Sequence, residues 1–174
     1  MDSDLGAVFD AHVASEFVAR DVDATMATMT DDPYVNHVPT LMGGVGREQV
    51  ADFYRRHFVG QWPADTTITP VSRTQDGHRV VDEMVITFTH DVTMDAILPG
   101  IPPTGQRVQI PAVVVMGFDN GKVSYEHVYW DQASILAQIG LIDASALPVT
   151  GAEQAGKVLD KDRPANHLLV RKPS

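Results

Sequence analysis

The stretch YEHVYWDQASILAQIGLI, residues 125–142, decides the fold of this 174-residue chain. Its first half alternates apolar and polar side chains, which is typical of a strand, and its second half repeats apolar residues at helical spacing. The side chains of His127, Tyr129, Trp130 and Asp131 lie where the predicted strand gives way to the predicted helix. An imidazole, a phenol, an indole and a carboxylate at one strand end indicate either a binding site or a capped helix.

The segments upstream of residue 60 are predicted to be mostly helical. Apolar residues recur every four positions over residues 5–17, which indicates a first helix, and a second short helix is predicted over residues 22–29. The amphipathic segment at residues 47–60 predicts a third helix. Between them, YVNHV is predicted as a short strand and LMGGVG as a flexible loop, since three glycines in four positions disfavour regular structure.

Beyond the third helix the hydrophobic period changes to two. Four segments are rich in Val, Ile, Thr and aromatic residues: TTITPVSR, HRVVDEMVITFTHD, RVQIPAVVVMGF and KVSYEHVYWD. Helices followed by a meander of strands indicate an α+β fold. We predict a cone-shaped, curved antiparallel sheet packed against the N-terminal helices and enclosing an apolar pocket, over residues 1–142. Residues 143–174 are predicted to form a C-terminal extension that wraps the body or a partner subunit.

The composition argues against several classes of function. A formal charge of −10, without any dense run of basic residues, disfavours binding to nucleic acid. No apolar stretch reaches the roughly 20 residues that a membrane span needs. The acidic N-terminus lacks the cationic region of a signal peptide, and the absence of cysteine removes disulfide and thiolate chemistry. We therefore expect a cytoplasmic protein whose partners are small molecules or proteins.

The junction also carries a recognisable pattern, an aspartate at the strand end followed by a helix of the form small–Leu–Leu–x–Gln–Leu–Gly. The matching residues are Asp131, Ser134, Ile135, Leu136, Gln138, Ile139 and Gly140. This pattern resembles the SnoaL-like branch of the nuclear transport factor 2-like superfamily, which includes ketosteroid isomerases and scytalone dehydratases. FTHD and PPTGQRVQI, at residues 88–91 and 102–110, are similar to further signatures of this branch. The chain is also similar to a module found joined to dienelactone hydrolases.

The resemblance implies a chemical role for Asp131, because the aspartate at this position in SnoaL-like polyketide cyclases is the acid/base of an intramolecular aldol closure. Alternation along the strand puts Tyr125, His127, Tyr129 and Asp131 on one face. A carboxylate in an apolar pocket has a raised pKa and can exchange protons near neutral pH, with His127 in support. The alternative is that Asp131 only caps the helix that starts at Gln132.

Glu83 and His37 are further candidates for the catalytic group. Glu83 lies on a strand that is otherwise apolar or Thr-containing, and a charge at such a place is usually paired or functional. The sequence leaves open whether Glu83 or its neighbour Asp82 points inward; we prefer Glu83, with a salt bridge to Arg73 as the alternative. His37 lies near the end of the short predicted strand YVNHV and is either catalytic or structural.

Substrate contacts are predicted around the same pocket. The segment from Met94 to Gln106 contains three prolines and is predicted to be a long irregular loop, either a lid or a stiff connection. Tyr34 and Asn36 resemble the water-holding residues of limonene-type epoxide hydrolases, although the Arg–Asp pair that those enzymes need is missing from the central strand. The predicted substrate-binding residues are Tyr34, Asn36, Tyr54, Met94, Leu98, Tyr129 and Trp130.

Three functions remain open at this point. The first is a small cofactor-independent enzyme that uses acid/base proton transfer on an apolar, carbonyl-bearing substrate, as a cyclase, an isomerase or a lyase. The second is an epoxide hydrolase of the limonene type. The third is a non-catalytic domain that binds a small molecule or a partner. No His-x-His or HExxH motif occurs, so we predict neither a metal site nor a cofactor.

The assembly predicted from the sequence is a homodimer. The segment AVVVMGF, residues 112–118, is apolar on both faces of its predicted strand. A strand whose outer face contacts water would alternate instead, so both faces of this strand are expected to be covered. Sheets of the superfamily that the chain resembles commonly pair through their outer faces, which implies the same arrangement here.

Overall fold

The structure, a computed structural model, describes residues 4–170. In chain order its elements are α1 (Leu5–Ala14), a π-helical turn (Ser15–Ala19), α2 (Val22–Ala27), β1 (Met29–His37), β2 (Met42–Val45), α3 (Gly46–Phe53), a second π-helical turn (Tyr54–Phe58), β3 (Thr67–Gln75), β4 (Arg79–Thr89), β5 (Arg107–Asp119), β6 (Lys122–Trp130), α4 (Gln132–Gln138), α5 (Glu153–Leu159) and a 3-10 turn (His167–Leu169). Residues 1–3 and 171–174, which the predicted domain and its extension include, lie outside the described residues.

The strands form one curved sheet in the order β2-β1-β6-β5-β4-β3. Helix α1 packs against β4 and β6, so the helices that precede the strands cover the concave side of the sheet. The predicted α+β fold is therefore confirmed. One pairing differs from the antiparallel expectation, because β1 and β6 run parallel while the other neighbours run antiparallel. After β1 the chain continues into β2 and α3, and the other edge of β1 is paired only by the last strand, β6.

The glycine-rich segment after β1 is a strand, so the prediction of a flexible loop there was wrong. Strand β2 pairs with β1, with Gly43 opposite Asn36. Gly43 has φ +147°, and a Cβ atom at this position would lie 2.0 Å from the carbonyl oxygen of Val35. Glycine is thus required for the close approach of the two backbones rather than for flexibility.

The third helix presents its predicted face to the core. Val50, Phe53, Tyr54 and Phe58 are all buried, which fits their spacing along one side of α3 and the turn that follows it. The chain leaves this helix at Gly60, whose φ of +84° is readily adopted only by a residue without a side chain. The second half of the helix winds as a π-helical turn from Tyr54, and this affects the site described below.

The long loop before β5 is a packed connection. Met94 and Leu98 are buried in the hydrophobic core, and the carbonyl oxygen of His90 accepts hydrogen bonds from the N–H groups of Thr104 and Gly105. Of the two alternatives for this segment, the structure favours the stiff connection over the lid. The prediction that Met94 and Leu98 contact substrate is not supported, because neither side chain lines the cavity described below.

The segment after α4 folds back onto the same chain. Helix α5 packs against β5 and β4, and its Ala155 is fully buried. The Gln154 side chain donates hydrogen bonds to Asp131 at 2.6 Å and to Thr150 at 2.5 Å, and the Ser134 hydroxyl donates to the carbonyl oxygen of Gly151 at 3.1 Å. Within residues 4–170, no helix has the length and apolar character needed to cross a membrane.

Candidate active site

A cavity of about 500 Å³ lies between α1 with its π-helical turn and the concave face of the sheet. Most of its wall is apolar, which favours a ligand with a hydrophobic body. The apolar wall is formed by Phe9, Val13, Phe17, Phe58, Trp62, Ile68, Pro70, Val71, Met84, Ile86, Ile97, Ile110, Ala112, Val114, Val128 and Trp130. The ionisable residues that line it are Asp10, Glu16, His37, Arg73, Asp82 and Glu126.

Strand β6 presents to this cavity the face opposite to the one expected. Glu126, Val128 and Trp130 line the cavity, so alternation along the strand puts Tyr125, His127 and Tyr129 on the outer face of the sheet. The expectation that His127 and Tyr129 enter the pocket is therefore corrected. Trp130 was predicted to contact substrate, and its position in the cavity wall fits that prediction.

The outer face of the sheet carries an aromatic cluster around His127. The His127 ring lies 5.2 Å from the ring of Tyr34, 5.0 Å from that of Tyr125 and 6.5 Å from that of Tyr129. Tyr34 and Asn36 lie opposite Tyr125 and His127 in the pairing of β1 with β6, and neither lines the cavity. The prediction that Tyr34 and Asn36 contact substrate is therefore corrected, because strand alternation puts both side chains on the outer face.

Asp131 caps helix α4 and lies outside the cavity wall. Its Oδ1 accepts the backbone N–H of Ser134 at 3.1 Å, and its Oδ2 accepts a hydrogen bond from Gln154. One carboxylate oxygen thus accepts a backbone donor of α4, and the other accepts a side-chain donor of α5. This corrects the expectation that Asp131 faces the pocket and fits the alternative in which it caps the helix.

Replacing Asp131 by Ala is expected to lower the free energy of unfolding by about 0.5–2 kcal/mol, because Ala cannot accept the Ser134 N–H. Asp131→Asn retains an acceptor and is expected to cost less. Urea denaturation of both variants measures the difference. Ligand binding in the cavity should be unchanged in both, and a loss of binding with intact folding would contradict a purely structural role.

At β4 it is Asp82, not Glu83, that reaches the cavity. Glu83 accepts a hydrogen bond from the Ser72 hydroxyl at 2.9 Å and lies on the other face of the strand. The salt bridge to Arg73, which was the alternative for Glu83, is made by Asp82, whose two oxygens lie 2.6 and 2.7 Å from the Arg73 guanidinium. Asp10 of α1 is the second partner of Arg73, at 2.7 Å.

His37, a candidate for the catalytic group, lines the cavity among aromatic rings. Phe53 and Phe58 lie 5.2 Å from its ring and Trp130 lies at 5.9 Å. Burial lowers the pKa of His37 to about 4, so the ring is neutral at physiological pH. Among the described residues, Nδ1 of His37 has no hydrogen-bond partner. This histidine therefore offers a neutral, polar contact within an apolar wall.

The main ionisable cluster beside the cavity contains three residues that the sequence analysis did not select, His12, Glu16 and Glu126, together with Tyr54, which it did. His12 of α1 and Glu16 of the first π-helical turn meet Glu126 of β6, with Tyr54 of the second π-helical turn beside them. His12 Nε2 lies 3.2 Å from Glu16 Oε1, 3.9 Å from Glu126 Oε2 and 3.1 Å from the Tyr54 hydroxyl. Each π-helical turn thus supplies one member of the cluster, and such turns are frequent at functional sites.

The hydrogen bonds of Thr28 fix the protonated nitrogen of His12. The Thr28 hydroxyl donates to the carbonyl oxygen of Thr25 at 2.6 Å, so it must accept from His12 Nδ1, which lies 2.6 Å away. Nε2 then faces Tyr54, whose hydroxyl donates to Glu126 Oε2 at 3.1 Å. Tyr54 was predicted to contact substrate; the structure places it instead behind the wall, where it binds Glu126 and His12.

The carboxylates and the burial together shift the pKa values of this cluster. Burial, reinforced by the negative charge of Glu16, raises the pKa of Glu126 to about 7 although His12 and Tyr54 oppose the shift. Burial alone would lower the pKa of His12, but Glu16 and Glu126 raise it above its ordinary value. Burial and the same carboxylates raise the pKa of Tyr54. Glu126 therefore changes its protonation near neutral pH.

His12, Glu16 and Glu126 are also residue types that bind metal ions, and their ligand atoms all lie within 4.8 Å of one another. The Tyr54 hydroxyl occupies the position that His12 Nε2 addresses, at 3.1 Å. A metal ion bound about 2.1 Å from this nitrogen would overlap the hydroxyl. The arrangement thus fits shared protons better than a coordinated metal.

One signal in the sequence points to half of this cluster. Leu5, Phe9, His12 and Glu16 follow one another at spacings of four, three and four, so the two polar residues continue the apolar face of α1. A histidine and a glutamate on the buried side of a helix require a partner. That partner is Glu126, which no local pattern distinguishes from the neighbouring residues of β6.

Comparison with known proteins supports the fold. The family model for a SnoaL-like domain matches residues 9–126. An NTF2-like protein of unknown function from Burkholderia pseudomallei is 21% identical, with a TM-score of 0.60, over 79% of this chain and 98% of its own. A candidate SnoaL-like polyketide cyclase from Jannaschia is 19% identical, with a TM-score of 0.61, over 79% of this chain and 94% of its own.

A protein with a ketosteroid isomerase-like fold from Catenulispora acidiphila, solved in complex with trimethylamine, is 18% identical, with a TM-score of 0.56, over 78% of this chain and 93% of its own. No curated protein matches the chain. Identities this low relate the folds and do not transfer an activity. The family model covers more than half of the chain, and the chain therefore belongs to the SnoaL-like family of the nuclear transport factor 2-like superfamily.

Proposed function

We propose that this protein is a small acid–base enzyme that moves a proton on an apolar, carbonyl-bearing substrate, as a cyclase or isomerase does. The observation that carries the proposal is Glu126, a buried carboxyl group in an apolar cavity whose pKa is raised to about 7. A base is most effective when its pKa lies near the working pH. The family membership and the cyclase-like neighbours are consistent with this chemistry.

Glu126 takes the role that the resemblance gave to Asp131. In its ionised form Glu126 removes a proton from the carbon next to the substrate carbonyl, and the electron pair of the C–H bond moves into the enolate. The protonated Glu126 then returns that proton to another carbon or to oxygen. The wall of aromatic and aliphatic side chains holds the substrate and excludes water, which strengthens the electrostatic interactions of the site.

His12 and Tyr54 complete the proposed mechanism, because the chain of hydrogen bonds can carry its proton in two arrangements. With His12 charged, Nε2–H donates to Tyr54 and the Tyr54 hydroxyl donates to the Glu126 carboxylate. With His12 neutral, protonated Glu126 donates to Tyr54 and the Tyr54 hydroxyl donates to Nε2. The total charge is the same in both arrangements, so Glu126 can exchange a proton with His12 without contact with water.

Proton exchange in D₂O tests this proposal. Bicyclic ketones such as 2-tetralone are incubated with the protein, and deuterium at the carbon next to the carbonyl is followed by NMR. We expect exchange faster than in buffer, with a rate that rises as Glu126 ionises around pH 7. Tryptophan fluorescence from Trp62 and Trp130, which line the cavity, measures binding in the same samples.

Binding without exchange for every ketone tried would contradict an enzyme and favour the alternative of a domain that only binds a ligand. The epoxide hydrolase alternative receives no support, because Tyr34 and Asn36 lie on the outer face of the sheet and cannot position a water molecule in the cavity. We do not include Asp131, His127 or Glu83 in the mechanism, since none of them lines the cavity. His37 is retained as a neutral contact for the substrate.

We also propose that two copies pair through the outer face of the sheet. Tyr34 and Tyr129 are 37% and 42% exposed there, which is unusual for large aromatic side chains in a cluster. Sedimentation velocity is expected to give twice the mass of the chain, and Tyr129→Glu is expected to give the monomer. Val18→Glu, at an exposed apolar residue outside the cluster, is the control. A monomeric wild-type protein at micromolar concentration would contradict the pairing.

A further inference from the structure

The charges around the cavity are unbalanced. At one edge, Arg73 is held by Asp82 and Asp10, so two carboxylates surround one guanidinium. Deeper in the cavity, the carboxylates of Glu16 and Glu126 face the single imidazole of His12. In each of these two clusters, the ionised carboxylates outnumber the basic side chains by one. An anionic ligand would be repelled from both places, whereas a cation would balance the charge.

The buried carboxylate of Glu16 is a second reason to expect a cationic ligand. It is 2% exposed and lines the cavity, and its Oε1 accepts no hydrogen bond from the described residues. His12 Nε2 lies 3.2 Å away and forms an ion pair with this oxygen when it is charged, but its N–H is aligned for a hydrogen bond with Tyr54, at 3.1 Å, rather than with Oε1. A buried carboxylate oxygen without a donor is costly, so this oxygen is suited to a donor that arrives with a ligand.

We infer that the cavity takes a ligand with a protonated amine, whose N–H groups donate to the Glu16 and Glu126 carboxylates while its apolar body lies against the aromatic wall. The ligand atoms of these two residues are within 4.8 Å of each other. One ammonium nitrogen about 2.8 Å from each oxygen spans that separation. This inference rests on the proposed function for its site, and it narrows the substrate class to an apolar amino ketone.

The wall of the cavity favours an organic cation. Phe9, Phe17, Phe58 and Trp62 line it, and the faces of aromatic rings attract cations. The structure already contains one such contact, since the Arg73 guanidinium carbon lies 4.8 Å from the centre of the Phe9 ring. A bare metal ion would gain little from this wall and would have to displace the Tyr54 hydroxyl.

Binding of the amine should depend on pH through the groups that face the two carboxylates. These groups are His12 of α1, Tyr54 of the second π-helical turn, and Glu16 and Glu126 themselves. A proton on Glu126 removes the surplus negative charge and competes with the ammonium. Because the pKa of Glu126 is about 7, amine binding should be tighter at pH 8 than at pH 5.5, while an alkylamine remains protonated at both.

Three ligands that share one ring system test the inference: 1-naphthylmethylamine, 1-naphthylmethanol and 1-naphthoic acid. Binding is measured by tryptophan fluorescence and by calorimetry. We expect the amine to bind roughly 10- to 100-fold more tightly than the alcohol at pH 8, which is the range for hydrogen bonds to a charged group, and the acid to bind least. The preference should largely disappear at pH 5.5.

Glu16→Gln and Glu126→Gln should each remove most of the amine preference and leave alcohol binding almost unchanged. Glu83→Gln, which neutralises a carboxylate on the outer face, is the matched control and should keep the preference. Melting temperatures establish that each variant is folded. If Glu16→Gln does not fold, the pH dependence of the wild-type protein with the three ligands still decides the question.

Equal affinity for the amine and the alcohol at pH 8 would overturn the inference. Stabilisation by Mn²⁺ or Zn²⁺ that is lost in Glu126→Gln, without any amine preference, would overturn it in favour of a metal site. The proposed function and the inferred ligand are contradicted by different results. Tight amine binding without proton exchange in 2-amino-1-tetralone contradicts only the acid–base enzyme, and exchange in 2-tetralone with exclusion of the amino ketone contradicts only the inferred ligand.

Discussion

Replacing Glu126 by Gln is expected to slow proton exchange in a bound ketone by about 10²–10⁴-fold, the usual loss when a general base is removed. Gln has nearly the same shape as Glu and can still accept the hydrogen bond from Tyr54, so the cavity should persist. The amide cannot take up a proton from carbon at neutral pH. NMR exchange rates at saturating ketone measure the loss directly, separately from any change in affinity.

The matched control is Glu83→Gln, which makes the same change on the outer face of the same sheet and should leave the rate within about twofold. Its carboxylate contacts Ser72 and does not line the cavity. An exchange rate that survives in Glu126→Gln but falls in Glu83→Gln would reverse the assignment of the faces. If both substitutions lower the exchange rate equally and only slightly, neither carboxylate is the base.

The same Glu126→Gln substitution is expected to stabilise the folded protein at pH 8 while having little effect at pH 5. The folded pKa of Glu126 is about 7, above its ordinary value of 4.5. Between these values the folded chain binds a proton that the unfolded chain has lost, so stability falls as the pH rises through this window. The difference of about 2.5 pKa units corresponds to a loss of roughly 3 kcal/mol once both states are ionised.

Urea denaturation at pH 5 and pH 8 measures this effect. The raised pKa of His12 acts in the same direction, since the stability it contributes at low pH is lost as the pH rises through its folded pKa. The free energy of unfolding of the wild-type protein should therefore decrease between the two pH values by more than that of Glu126→Gln. Parallel curves for the two proteins would show that Glu126 is ionised throughout, and the proposed base would lose its physical support.

The limits of the sequence analysis are clearest on strand β6. Alternation correctly grouped Tyr125, His127 and Tyr129 on one side and Glu126 with Trp130 on the other. It could not tell which side faces the helices, because the outer face is itself covered with aromatic rings. Asp131 was used to choose the side, but it stands at the first residue after the strand, where its φ of −90° and ψ of 102° belong to a helix cap.

The fold was more accessible than the site because its evidence is local. The pattern from Asp131 to Gly140 and the change of period after the third helix each occupy one continuous stretch. The cluster of His12, Tyr54 and Glu126 instead joins three distant parts of the chain, which only the tertiary structure brings together. Polar residues on the apolar side of α1 were a usable warning that a buried partner exists.

The parallel pairing of β1 with β6 sets an order of events for the newly made chain. Strand β1 is translated early, but the neighbour that binds its inner edge comes after β3, β4 and β5. At about 5–20 residues per second, that edge stays unpaired for several seconds on the ribosome, during which other strands can add to it. Since Glu126 lies on the same late strand, its carboxyl group reaches its place in the same step that joins β1 and β2 to the rest of the sheet.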